Sequence, residues 1–351
     1  MSRGRFRHWL VRQWYGNRPV WPFIPLAWLF TCVSAIRRWC YRHGLLKTVT
    51  LPVPVIVVGN ITVGGTGKTP FVMWLVQALR AQGYLPGIIT RGYGGKSDHW
   101  PLHVTPDTDP ALAGDEAVLL ARHTRLPVMA GTDRIKAARQ LLEKFPVQVI
   151  VSDDGLQHYR LGRTMTVIML DGQRGSGNGW RLPAGPLRES TQRLDVADFV
   201  IRKIAVGDDG ASISEAVINM TLSLGNAINL LDRSSRPLAE FASRPVHALA
   251  GIGNPGQFFA ALERQGLQVD RRSLPDHARL SAADLVFADD APVLMTEKDA
   301  IKCRGLHLPN HWYVTATAQL SEENAARVLR GVRQKLRAAG VEPAYADRNL
   351  M

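Results

Sequence analysis

Cysteine is scarce in this chain. Cys32, Cys40 and Cys303 are the only three in 351 residues, and none has CxxC or other metal-ligand spacing. A disulfide framework is excluded on that count, and a reducing compartment is the simpler expectation. Acidic residues are missing from residues 1–50, which carry eight arginines and Lys47, so nine of the net thirteen positive charges sit in the first seventh of the chain. An apolar run long enough to span a bilayer comfortably is missing too: the uncharged stretch Pro19–Ile36 has eighteen residues, and Pro22 and Pro25 interrupt its first half. What remains is globular in composition, 46% apolar and 21% charged, and the length suits one large or two ordinary domains.

Five of the nine tryptophans (9, 14, 21, 28 and 39) share the basic leader with that uncharged stretch. Arginine and tryptophan around an apolar segment suit a membrane–water interface better than a nucleic-acid groove. The expected form is an interfacial helix of about ten residues from Leu26 to Ile36. A true span and a signal peptide remain as alternatives.

Beyond the leader, apolar strands alternate with amphipathic helices, which predicts a mostly parallel sheet covered on both faces. Strands are expected at Val53–Val58, Leu85–Thr90, Val128–Ala130, Val147–Val151 and Thr166–Asp171. Helices are expected at Phe71–Ala81, Gly114–His123 and Asp133–Phe145. A second α/β unit starts near Ser234 and runs to about Thr317, with a helix at Gln257–Gln265. A closing helix, Ser321–Ala338, has Leu329 and Val332 on its apolar side. The expected division is a leader at 1–46, a larger domain at 47–232, a smaller one at 233–318 and a C-terminal helix and tail at 319–351.

The most informative segment is TVGGTGKT, Thr62–Thr69, directly after the first strand. Glycines leave backbone N–H groups able to surround phosphate oxygens, Lys68 supplies a charge for the terminal phosphates, and Thr69 offers a hydroxyl to Mg²⁺ at a helix start. Gly64, Gly65, Thr66, Gly67, Lys68 and Thr69 are the nucleotide-binding candidates, and Thr62 stands where the phosphate-loop pattern has its first glycine. A second constellation is the strand ending in Ser152-Asp153-Asp154, either an Asx turn or the carboxylates that hold a metal beside such a loop. Gly114-Asp115-Glu116 supplies a base for a hydroxyl proton or a helix cap. Asp276-His277 reads as a polar turn or an oriented histidine. TEKDAIK, 296–302, reads as a solvated charged face. GPLRE adds Arg188 and Glu189.

Taken in order, VVGNITVGGTGKTP, RGYGG, GDEAVLL, GTDR, SDDGLQH, GPLRE, GIGNP and TEKDAIK resemble the tetraacyldisaccharide 4′-kinase family, over nearly the whole chain. The resemblance implies a P-loop NTPase-like α/β/α domain and a second, smaller α/β/α domain, joined by a two-stranded linker with the active site in the cleft. It implies transfer of the ATP γ-phosphate to the 4′-hydroxyl of a tetraacyldisaccharide 1-phosphate, giving lipid IVA, at the cytoplasmic face of the bacterial inner membrane. Asp115 then becomes the catalytic carboxylate, assisted by His277 of the smaller domain and by Lys68. Thr69, Asp153 and Asp154, with Glu116 and Glu189 as further ligands, become the Mg²⁺ site. Arg134 and Arg188 become contacts to phosphate groups. Thr62 is in keeping with the family, which tends to carry Ser or Thr there. Neither nucleic acid nor a protein partner is expected. The competing readings are a P-loop kinase of a soluble metabolite and a membrane-recruited switch ATPase. Val63, where such switches carry lysine, counts against the latter.

Overall fold

The structure, a computed structural model, describes residues 3–208, 216–275, 280–303, 306 and 308–345. Its central strands are uninterrupted apolar runs: β1 (Val55–Asn60) and β5 (Val149–Asp153) are buried at every position. Such runs fit only a sheet with both faces covered. Alternation sorts their side chains. Ile56 and Val58 pack with Phe71, Leu75 and Leu79 of α3 (Lys68–Ala81), whereas Val55 and Val57 pack with Ile135, Ala138 and Leu141 on the other face.

Before β1 come α1 (Arg3–Trp14) and α2 (Ile24–Arg42). After α3, the chain runs through β2 (Pro86–Thr90), β3 (Leu102–Val104), α4 (Pro110–Ala113), α5 (Asp115–Thr124), β4 (Val128–Ala130), α6 (Arg134–Lys144) and β5. It continues with β6 (Met165–Asp171), β7 (Phe199–Lys203), β8 (Val217–Asn229), β9 (Ser235–Arg236), β10 (Val246–Ala250), α7 (Pro255–Arg264) and β11 (Val269–Ser273). The last elements are β12 (Val293–Thr296), α8 (Glu297–Ala300), β13 (His311–Gln319) and α9 (Glu322–Ala338).

Hydrogen bonding links the strands in the order β11-β10-β12-β13-β8-β7-β6-β1-β5-β2-β4-β3, with β9 paired to β8. From β7 to β4 all pairings are parallel, and β3 closes that edge antiparallel to β4. The smaller sheet, β11-β10-β12-β13, is parallel as well. The two halves meet in β8, whose first residues pair parallel with β7 and whose later residues pair antiparallel with β13. This is a P-loop-type α/β/α arrangement with a smaller α/β partner. The closing helix returns to the larger half, burying Val328, Val332 and Leu336 beside Ile201, Ile218 and Met220. Leu329, expected on that apolar side, is only half-buried.

The leader helix is longer than expected. Pro22 lies in a 3₁₀ turn, Trp21–Phe23, and Pro25 falls in the first turn of α2, where a missing N–H breaks no helical bond. The helix therefore runs nineteen residues rather than ten. Leu26, Leu29, Val33 and Ile36, spaced three or four apart, are 52–61% exposed along one side, flanked by exposed Trp28 and Trp39. Among the described residues no helix is long and apolar enough to cross a membrane.

Candidate active site

Parallel strands open their carboxyl ends on one edge, and the register Val58↔Asp153 places the acidic end of β5 beside the loop that leaves β1. Gly67 has φ +81°, a left-handed conformation that a side chain resists, and occupies the N-cap of α3. With glycine there, no capping side chain occupies the first-turn amides, which suits an anion at the helix start. Gly64 has φ +121°. Asn60 Nδ2 donates to the Thr62 carbonyl at 2.7 Å, and Tyr15, just beyond α1, donates its hydroxyl to the Val63 carbonyl at 2.6 Å. Thr62 is 2% exposed and pairs with Leu187, so its side chain serves the loop's frame.

Lys68 Nζ lies 3.4 Å from Asp154 Oδ1, and the Thr69 hydroxyl donates to Asp153 Oδ2 at 3.5 Å. Arg188 Nη1 approaches Asp154 Oδ2 at 3.3 Å. The two adjacent aspartates are driven apart. Burial, then the Glu116 charge, push the Asp153 carboxyl up to about 7 against the pull of Lys68. Asp154 is half-buried, but Lys68 and Arg188 outweigh the loss of solvent and hold it at about 2. Asp153 Oδ1 is buried with no hydrogen-bond partner among the described residues. A buried carboxylate oxygen without a donor, next to a threonine hydroxyl, is a donor set that fits a hard divalent cation taking its other ligands from phosphate and water. Among the described residues no group of three or more His, Cys, Asp or Glu is arranged to hold a metal through protein ligands alone.

The GDE and RGYGG motifs form one packed corner. Gly114 has φ +86°, and a Cβ there would meet the Tyr93 carbonyl at 2.3 Å; a Cβ on Gly95 would meet the Leu112 carbonyl at 2.4 Å. This close approach fixes the start of α5. Asp115 is 6% exposed and accepts the Glu116 amide at 3.0 Å.

TEKDAIK departs from the solvated face its spacing suggested. Asp299 is fully buried, accepting from the Gly251 amide and the Thr296 hydroxyl. Lys298 Nζ lies 2.9 Å from Glu116 Oε1 and 3.9 Å from Asp115 Oδ2, and Lys302 Nζ lies 3.8 Å from the same Asp115 oxygen. The smaller half thus brings two ammonium groups to the GDE carboxylates, with His123 and Glu297 paired alongside. Helical spacing gave no hint, because the face is covered by a distant element. Asp276 and His277 lie outside the described residues.

Two other expected residues have their polar groups engaged by the protein itself. Arg134 is 2% exposed and spends its guanidinium on the carbonyls of Gly131 and Asp153, so it braces the end of β5 rather than facing a substrate. Burial lowers its pKa to about 10. Glu189, 3% exposed, accepts the Tyr159 hydroxyl, lies 3.9 Å from Arg38 and lines the same cavity as Asp154. Between α2 and the acidic edge is a cavity of about 300 Å³ lined by Arg37, Arg91, Asp154, His158 and Arg188, among others.

Lys203 was not expected here. Its Nζ contacts Asp171 Oδ2 at 3.0 Å, the Gly65 carbonyl at 3.1 Å and Gln257 Oε1 at 2.6 Å. Arg174 Nη1 likewise donates to the Gly253 carbonyl at 3.1 Å. These bonds tie the phosphate loop to the GIGNP segment and α7 of the smaller half. The sequence held only part of the signal: Asp171 and Lys203 each end an apolar run, and their pairing in register is seen in the sheet.

Residues 19–334 match the sequence profile described as tetraacyldisaccharide-1-P 4′-kinase. The tetraacyldisaccharide 4′-kinase of Nitrosococcus oceani is 46% identical over 322 residues, 91% of this chain and 93% of the relative. That of Pasteurella multocida is 44% identical, covering 92% and 96%. Among solved structures, that of LpxK from Aquifex aeolicus in complex with ATP aligns with a TM-score of 0.75 at 30% identity, covering 90% of this chain and 98% of that one.

Proposed function

The chain belongs to the tetraacyldisaccharide 4′-kinase family, and from that premise we propose how its residues carry the reaction. The protein is a kinase that transfers phosphate from ATP to the 4′-hydroxyl of a tetraacyldisaccharide 1-phosphate in lipid A biosynthesis. The observation that carries the residue assignment is the meeting of Lys68 and Thr69 with Asp153 and Asp154 at the shared edge of β1 and β5.

Phosphoryl transfer asks mainly for positioning and neutralised charge. The loop amides and Lys68 hold the β- and γ-phosphates, exchanging the Lys68–Asp154 contact for the nucleotide. Thr69 and Asp153 are the residues suited to Mg²⁺, with Asp154 and Glu116 close by, and Glu189 lines the cavity that Asp154 borders. The ion, when bound, offsets charge on the phosphate oxygens. The acceptor sugar occupies the cavity beside Asp154, where Arg91 and Arg188 supply cations for phosphate. Asp115 takes the proton of the attacking hydroxyl and is oriented by Lys298 and Lys302. His277 is assigned as its helper on the family resemblance alone. The exposed apolar side of α2 lies on the cytoplasmic face of the inner membrane, bringing the cavity to an acceptor held there by its acyl chains.

Incubation with labelled ATP and the acylated disaccharide 1-phosphate should place label on the distal sugar; an unlabelled distal sugar overturns the reading. Asp115→Ala should lower kcat by about a thousandfold or more while ATP binds nearly as before. Turnover like the wild type would remove Asp115 from the base role.

A further inference from the structure

Beneath the C-terminal half of α2 lies a second cavity, of about 360 Å³. Tyr159 lines both this cavity and the one beside Asp154. Four arginines line it, Arg38, Arg42, Arg163 and Arg193, and among the described residues no aspartate or glutamate does. Behind its wall, Glu189 sits 3.9 Å from Arg38 and is already the acceptor of the Tyr159 hydroxyl. Asp198, beyond Thr166, pairs with Lys335 at 2.9 Å. The cavity therefore carries an excess of positive charge that the surrounding protein does not neutralise.

The donors are also incompletely used. The Nε of Arg193 is buried with no hydrogen-bond partner among the described residues. Arg163 spends two N–H groups on the carbonyls of Leu156 and His158 and keeps the rest. Burial and the neighbouring Arg193 charge lower its pKa to about 10, outweighing the opposing pull of Tyr159 and Glu189. Leaving a buried guanidinium donor unmet costs free energy, which a ligand with several acceptor oxygens would recover. Forked guanidinium groups converging from different elements suit a tetrahedral phosphate better than a single carboxylate.

Position indicates where such a phosphate comes from. The helix that roofs the cavity with Arg38 and Arg42 exposes Ile36 and Trp39 on its outer side. If that side meets the acyl boundary, the arginines on its inner side stand at headgroup depth. We propose that the cavity under α2 is a binding site for a phosphate group, presented by the headgroup of an anionic phospholipid and separate from the site of phosphoryl transfer.

The test needs neither ATP nor acceptor, so its failure leaves the kinase reading intact. The full-length protein is compared with Arg42→Gln, Arg193→Gln and the double variant. A control, Arg330→Gln/Arg333→Gln, removes the same charge from the exposed side of α9. Flotation with phosphatidylglycerol vesicles and with phosphatidylcholine vesicles is read alongside the melting temperature in inorganic phosphate. The double variant should bind phosphatidylglycerol vesicles about 30-fold more weakly than the wild type, each single variant about 5-fold, with phosphatidylcholine binding unchanged. The control should lose at most a few-fold. A phosphate-dependent rise in melting temperature that the double variant lacks, without a vesicle difference, supports the same site with free phosphate as its ligand. Equal losses in the double variant and the control, or no loss in either arm, overturn the proposal.

Discussion

Lys203→Met should separate stability from nucleotide affinity. The substitution leaves the Asp171 carboxylate, 3% exposed, without the cation 3.0 Å away. Removing one partner of a buried pair typically costs about 3–5 kcal/mol. Asp171 keeps the amides of Gln173 at 3.0 Å and Arg174 at 3.1 Å as donors, which argues for the lower end, about 3 kcal/mol. For a chain of this size that corresponds to a melting temperature about 4 °C lower. The same substitution also releases the Gly65 carbonyl, a charge-assisted bond worth about 1.5 kcal/mol, so ATP should bind about tenfold more weakly. Adding Asp171→Asn removes the orphaned charge while keeping an acceptor for both amides. The double variant should therefore recover most of the melting temperature but none of the ATP affinity. Thermal melts and nucleotide titration on the four proteins of the cycle measure both quantities. If affinity recovers together with stability, the Lys203–Gly65 bond has no role of its own in shaping the loop.

Three further outcomes follow from the same geometry. Lys298→Met removes the ammonium 2.9 Å from Glu116, and should lower kcat about tenfold with little change in ATP affinity, Lys298→Arg recovering part of it in steady-state kinetics. The imidazole of His158, held near 4 chiefly by burial and then by Arg134 and Arg91, stays neutral from pH 6 to 8. Because that folded value lies below the unfolded 6.5, the stability involved is present above about pH 6.5 and lost as pH falls towards 4. A proton-detected NMR titration should show the low value and its rise in Arg91→Ala. Leu29→Glu/Ile36→Glu, on the exposed side of α2, should lower partition onto vesicles by more than tenfold while leaving the circular dichroism spectrum unchanged.

Where chemistry and burial coincide locally, the sequence could be read. The apolar run of β1, its glycine turn and the Lys-Thr at the start of α3 occur in order, and β4 falls at Val128–Ala130 as expected. The acidic end of β5 was legible because parallel topology sends it to the edge where the loop emerges. What stayed hidden depends on distant residues. Nothing near TEKDAIK announces that the GDE helix will cover it, and nothing near Arg134 announces that its guanidinium will cap β5 from inside. The leader helix was read too short because proline was counted as a break, although Pro25 lies in its first turn. The tie from Lys203 to Gly65 required register, which single-strand patterns do not supply.

The strand shared by the two halves has a consequence for how the chain comes off the ribosome. In strand order the smaller sheet reaches the larger one only through β13, which is made late, while its partner β8 is made some eighty residues earlier. Until β13 emerges, β12 and the second half of β8 each present an open edge, the kind that recruits other chains. Until α9 follows, the apolar groups of Ile218 and Met220 lack their cover. A chain shortened at residue 310 would therefore lose more than a terminal strand and helix. It would carry two nearly complete half-sheets with no ladder between them, and should aggregate rather than survive as a smaller kinase.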